Sequence, residues 1–283
     1  MMWDTPPRRR PVHRILQRVQ VQTLDQLHSV ASLRPWWVFR GQSSWKWRLE
    51  PSLERNRQQT EWQSIEDAEL SNAKEAAYNT SELKDSDHLA WLAKLRHDGR
   101  PVRLLDFTTD LAVALHFATR ERSRDTPVIW AVDGMRLEVA WRVFAHASDP
   151  VLNIRGASAN CEEFNRIFEK REGVGAAMFV EPRAPNPRRE AQKGLFLVGL
   201  NLNRSLEQNL FGCLGYAPTE VNPAIGERGL PTGPVGFFTM PLSEHARENL
   251  ADALIVQIWL NIDEAEIRTF LAKRGISDSS LGL

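Results

Sequence analysis

Cysteine is nearly absent from this 283-residue chain, which holds Cys161 and Cys213, with no CxxC pair and no histidines at metal-ligand spacing. Two thiols cannot build a disulfide framework, and a structural zinc site is not expected from such a pattern. The thiols read as reduced and the protein as cytoplasmic. A bilayer-spanning run of about 18 apolar residues is missing, so no membrane partner is expected. The run Arg8-Arg9-Arg10 is not followed by the apolar core of a signal peptide. An excess of either charge is also lacking: 36 Lys and Arg balance 36 Asp and Glu. A protein that coats nucleic acid needs a marked basic surplus, so that class is disfavoured, although a local basic groove is not. GxGxxG, P-loop, HExxH and nucleophile-elbow motifs do not occur. The commonest dehydrogenase, phosphotransferase, zinc-protease and α/β-hydrolase readings go with them.

What the chain does have is ten tryptophans, 42% hydrophobic residues and 25% charged residues. That is ordinary globular composition, long enough for a substantial core without disulfide or metal staples. Residues 1–11 are rich in Pro and Arg and read as a loose arm; residues 12–283 read as one domain. Apolar periodicity predicts a strand near 15–21, a short helix near 24–30, and a buried strand at Trp36-Trp37-Val38-Phe39. Helices are expected over 61–79, 87–96 (stopped by Gly99) and 111–118, where His116 on an apolar helix reads as a satisfied core group. Strands are expected at 128–132, 176–180, 195–200 and 254–260, and a last helix at 263–274 ends at Gly275. The Gly- and Pro-rich segment 213–241 is too long for a simple turn. A regular βαβαβ rhythm is lacking, so the fold expected is α+β, with a mixed, largely antiparallel sheet flanked by helices.

Three constellations can carry chemistry. In the first, Phe39-Arg40-Gly41-Gln42 ends an aromatic strand and Trp47-Arg48-Leu49-Glu50-Pro51-Ser52-Leu53 follows. A guanidinium pairs two oxygens of a phosphate or carboxylate at once, and Gly lets a backbone or ligand approach closely. An internal salt bridge at a sheet rim explains Arg40 equally well. The second runs from His97 to Thr109 and gathers Arg100, Arg103, Asp106, Thr108 and Thr109 beside Gly99 and Pro101. Either a buried Asp106–Arg103 pair braces a turn, or Asp106 orients an arginine while the hydroxyls meet a ligand; a helix cap is a third use. In the third, Glu190 and Gln192 lie two apart before a predicted strand, so an extended chain points both to one face.

Together these stretches resemble the FRG domain family, named for its Phe-Arg-Gly strand end. The resemblance rests on Phe39-Arg40-Gly41-Gln42, Leu49-Glu50-Pro51-Ser52-Leu53, Gly99–Thr108 with Ala114-Leu115-His116-Phe117-Ala118, and Arg189–Phe196, in the family's order across roughly residues 20–280. Where the family usually has His-Tyr-Gly-x-Pro-Thr-Arg, this chain has Asp98 for the Tyr and Val102 for the Thr, losing an aromatic ring and a hydroxyl. Many members resemble effector or accessory proteins of phage and anti-phage systems, which implies a defence-system partner. The order of elements is also similar, more remotely, to the Arg/Ser-Thr/Glu plan of mono-ADP-ribosyltransferases. That resemblance implies an ADP-ribosyltransferase-like fold and NAD as substrate, with ADP-ribose passed to a protein or nucleic-acid acceptor. On this chain it makes Arg40, with Gly41 and Gln42, the dinucleotide-holding element. Thr108 and Thr109 form the hydroxyl element, Arg103 and Asp106 stand with them among the cofactor-binding residues, and Glu190 or Gln192 is the third. The third stabilises an oxocarbenium-like transition state. Here Glu precedes Gln, the reverse of the transferases' order. The alternative is a recognition module without catalysis, binding a nucleotide or phosphate-bearing ligand. A nucleic-acid-directed enzyme, suggested by the tryptophans and Arg8–Arg10, ranks third.

Overall fold

The computed structural model describes residues 16–77, 83–121, 123–140, 162, 164–168, 175–183, 186–212 and 237–283. The N-terminal arm, both cysteines and most of segment 213–241 lie outside them. The chain runs β1 (Leu16–Val21), α1 (Leu24–Ala31), β2 (Trp37–Gln42), α2 (Trp62–Ala76), α3 (His88–His97), β3 (Leu104–Thr108), α4 (Leu111–Thr119) and β4 (Val128–Asp133). It continues with β5 (Ala177–Val180), α5 (Pro187–Ala191), β6 (Gly194–Gly199), α6 (Leu206–Gly212), β7 (Phe237–Thr239), α7 (Glu244–Asp252), β8 (Ile255–Leu260) and α8 (Glu264–Lys273).

The strands form one sheet in the order β5-β6-β3-β2-β4-β8-β1-β7. Only the pairings of β1, with β7 and with β8, are parallel; the others are antiparallel. This is the expected α+β architecture. Central strands read as nearly continuous apolar runs because both faces are covered; all six residues of β4 are buried. One face packs α2, α3 and α6 through Leu70, Trp91, Leu92, Leu95, Leu210 and Phe211. The other packs α1, α4, α7 and α8 through Leu27, Leu115, Leu250 and Ile267. Asp or Thr caps start several of these helices: Thr23 accepts from the Gln26 N–H, Asp87 from Ala90, Asp110 from Ala112 and Asp263 from Ala265. Gly99 (φ 75°) ends α3, where the Arg100 N–H returns to the Leu95 carbonyl at 2.9 Å.

The sheet is not uniform. β2 pairs with β4 over six residues, and β3 with β6 over five, but β2 meets β3 only at Phe39 opposite Thr108. Past that point the two central strands diverge. Helix α4, which follows β3, packs against β2 and holds the two together. Gly41 permits this: a Cβ there would lie 1.9 Å from the Ala114 carbonyl oxygen and 2.5 Å from the Ala118 nitrogen. The glycine of the Phe-Arg-Gly triplet therefore serves the close approach of helix to strand.

Candidate functional site

A cleft of about 730 Å³ opens where β2 and β3 part. Phe39, Phe107, Val113, Phe117, Leu195 and Phe196 supply apolar wall, while charged and polar side chains converge from β2, the loop after it, α3, β3 and α5. Such a size and mixture are typical of small-molecule sites. Seven Lys and Arg side chains line the cleft against three carboxylates, Glu50, Asp106 and Glu121. Asp125 and Glu207 neutralise two more of these cations, so a chain with no net charge keeps a surplus of two positive charges here.

Arg40 sits at the parting of the strands. Its Nη1 donates to the Asp106 main-chain carbonyl at 2.7 Å, a side-chain bond across the gap left by the missing ladder. Its Nε is buried without a partner. Burial pulls the guanidinium down to about 10, opposed by the nearby Asp106 carboxylate and assisted by Arg96 and Arg55. It stays cationic at neutral pH. The Asp106 carboxylate does not pair with Arg40; Arg96 takes it, with Nε at 3.0 Å and Nη2 at 2.5 Å. Lys46 is held by Asp125 at 2.6 Å and Arg48 by Glu207 at 2.7 Å. Arg40, Arg55, Arg188 and Arg189 make no ion pair among the described residues.

Thr108, Asp110 and Gln192 lock α5 to the start of α4. Thr108 Oγ1 donates to the Gln192 carbonyl at 2.7 Å and accepts from the Asp110 N–H at 3.0 Å. Asp110 also binds Lys193 Nζ at 2.7 Å. Burial alone would raise the Asp110 carboxyl, but the bonds from Lys193 and from the Ala112 N–H outweigh it and hold the group below its usual range. Gln192 Nε2 donates to the Leu281 carbonyl at 2.9 Å, joining the C-terminal segment to the cleft wall.

Residues 35–126 match the FRG domain. No curated protein and no solved structure matches the chain. The match takes in three of the four stretches that carry the resemblance; Arg189–Phe196 lies beyond it. It also contains the parting of β2 and β3, so the FRG segment builds most of the cleft, and α5 with β6 completes the wall.

Several expectations meet the structure directly. Arg40, Gly41, Gln42, Asp106, Thr108 and Gln192 all line the cleft. Gln42 does so as a buried brace, with Nε2 on the Arg48 carbonyl and Oε1 accepting from the Trp130 indole. Arg103 does not join them. The expected Arg103–Asp106 pair is replaced by a buried pair with Glu66 on α2, Nε to Oε2 at 2.6 Å, while the Arg103 N–H donates to Oε1. Thr109 is exposed, its N–H bonded to the Lys193 carbonyl, and is outside the cleft lining. The segment of Glu190 and Gln192 is not extended: Asn186 caps α5, Pro187 opens it and Gln192 closes it. Two residues of helical turn separate the pair, leaving Glu190 exposed and away from the cleft lining while Gln192 lines it. Asn-Pro ahead of charged residues was the signal for that helix start. His116 is a satisfied group as expected, with Nε2 2.9 Å from Asp278 Oδ1. Among the described residues no cluster of His, Cys, Asp or Glu could hold a metal ion. None of their helices is long and apolar enough to cross a membrane.

Proposed function

We propose that the FRG cleft is a binding site for a phosphate-bearing ligand of nucleotide size, with Arg40 as its principal phosphate contact. The observation that carries this reading is the state of Arg40. It is a half-buried guanidinium with one nitrogen on a main-chain carbonyl, a second buried and, among the described residues, unpaired, and no carboxylate partner among them. A buried cation left this way has lost hydration without full compensation, and an oxyanion restores it with two charge-assisted hydrogen bonds. Arg55, Arg188 and Arg189 stand in the same cleft without ion pairs among the described residues and add to the field an anion meets.

NAD is the first ligand to test. Isothermal titration of the full chain is expected to give a measurable affinity that Arg40→Ala abolishes. Arg40→Lys should recover only part, because a point charge replaces the two-nitrogen fork. Undiminished binding in Arg40→Ala ends this assignment.

The convergence of Arg40, Thr108 and Gln192 on one cleft favours a second reading, ADP-ribosyl transfer from NAD to a protein or nucleic-acid acceptor. In that reading the third element is Gln192, a neutral amide already bonded to Leu281. It offers no countercharge to an oxocarbenium-like centre. Recognition without turnover is therefore the better fit, and nicotinamide release, followed by chromatography, separates the two.

A further inference from the structure

We propose that Trp47 is a stacking platform for the base of the ligand, which makes nucleotides, rather than simple phosphates, the class this cleft selects. This rests on the phosphate-binding reading of Arg40.

Trp47 lines the cleft and is 50% exposed. Its indole has no ring contact or hydrogen bond among the described residues. The segment that carries it is firmly held. Trp45 is stacked on Trp259 at 5.0 Å, and its N–H donates to the Thr126 carbonyl. Lys46 is bound to Asp125, and Arg48 to Glu207. The Trp47 N–H itself donates to the Ser44 carbonyl at 3.2 Å, and the Leu49 N–H to Glu207 Oε1. Residues on both sides are thus fastened, and the one indole between them faces solvent in a cationic cleft. A backbone fixed before the ligand arrives lowers the entropy cost of ordering the indole against it. A planar base is the natural occupant: stacking accepts any base, and the neighbouring cations take the phosphates.

The test titrates wild type, Trp47→Ala and Trp47→Phe with ADP and with pyrophosphate, which has the charge but no base. Trp47 is exposed, so the variants should melt with wild type, and melting temperatures verify it. Expected are tighter binding of ADP than of pyrophosphate by wild type, and a loss of about tenfold to hundredfold for ADP in Trp47→Ala. Trp47→Phe should lose less, and pyrophosphate affinity should be the same in all three. Equal affinity of wild type for the two ligands, or unchanged ADP binding in Trp47→Ala, overturns the stacking platform and leaves the anion site standing. Failure of wild type to bind either ligand overturns both.

Discussion

Arg40 and Arg103 stand near the same strand, yet burial has opposite consequences for them. Arg103 is fully matched: Glu66 takes both its main-chain N–H and its guanidinium, and the ring of Phe168 lies 5.0 Å from its central carbon. Such a group has nothing left for a ligand. Removing it strands a carboxylate of zero exposure, which costs about 3–5 kcal/mol in comparable buried pairs. Arg103→Ala is therefore expected to lower the urea midpoint strongly, whereas Arg40→Ala loses ligand without comparable loss of stability; denaturation curves of the two variants check the contrast. The sequence placed both arginines on the candidate list because type and proximity were all it offered. Glu66 lies 37 positions upstream on another element, and no local pattern announces that partnership.

At the level of elements, the helices and strands with strong periodicity were legible. The helix at Leu111–Thr119 stands where hydrophobic patterning puts it, and the strand expected at 36–39 is there but shifted: it runs Trp37–Gln42, taking in Arg40-Gly41-Gln42 and leaving Trp36 exposed. Those missed had weak patterns. α7 buries only Ala246 and Leu250, and β3 alternates poorly as Leu-Leu-Asp-Phe-Thr within a stretch whose charged residues drew attention to chemistry. α6 depends on a distant group: Glu54 accepts from the Leu206 N–H at 2.7 Å, capping the helix from 152 residues away. Burial pushes the Glu54 carboxyl up to about 8, aided by Glu207 and Glu50 and opposed by the Leu206 bond and Arg48. An unfolded glutamate ionises near 4.5. Between these values the native state holds a proton that the unfolded state has released, so stability falls as pH rises from about 5 toward 8. Glu207 on the same helix is also pushed up by burial, against the pull of Arg48, and adds with the same sign. Glu54→Gln keeps the acceptor oxygen and removes the titration. Its melting temperature should vary less with pH across that interval than wild type's; an identical slope would show that the carboxyl is already ionised at pH 5.

Across the whole molecule, charge is balanced but unevenly placed. With Asp125 and Glu207 paired to two of the seven cations, two surplus positive charges remain at the cleft of a chain with no net charge, so the field acting on an approaching anion is local. Affinity for a nucleotide should then fall as sodium chloride rises from about 50 to 500 mM, where the screening length shortens to a few ångströms. An affinity constant over that range would mean that the cations are not meeting phosphate. The single register pair between β2 and β3 also divides the sheet into blocks of five and three strands. One ladder contact joins their backbones; the packing of α4, the apolar core that Val38 shares with Leu104 and Leu105, the Arg48–Glu207 pair and the bond from Arg40 to the Asp106 carbonyl hold the rest of the seam. The arginine proposed to grip the ligand also bridges that seam. On the proposed reading, the group that recognises what enters the cleft is also one of the groups that hold its two walls together.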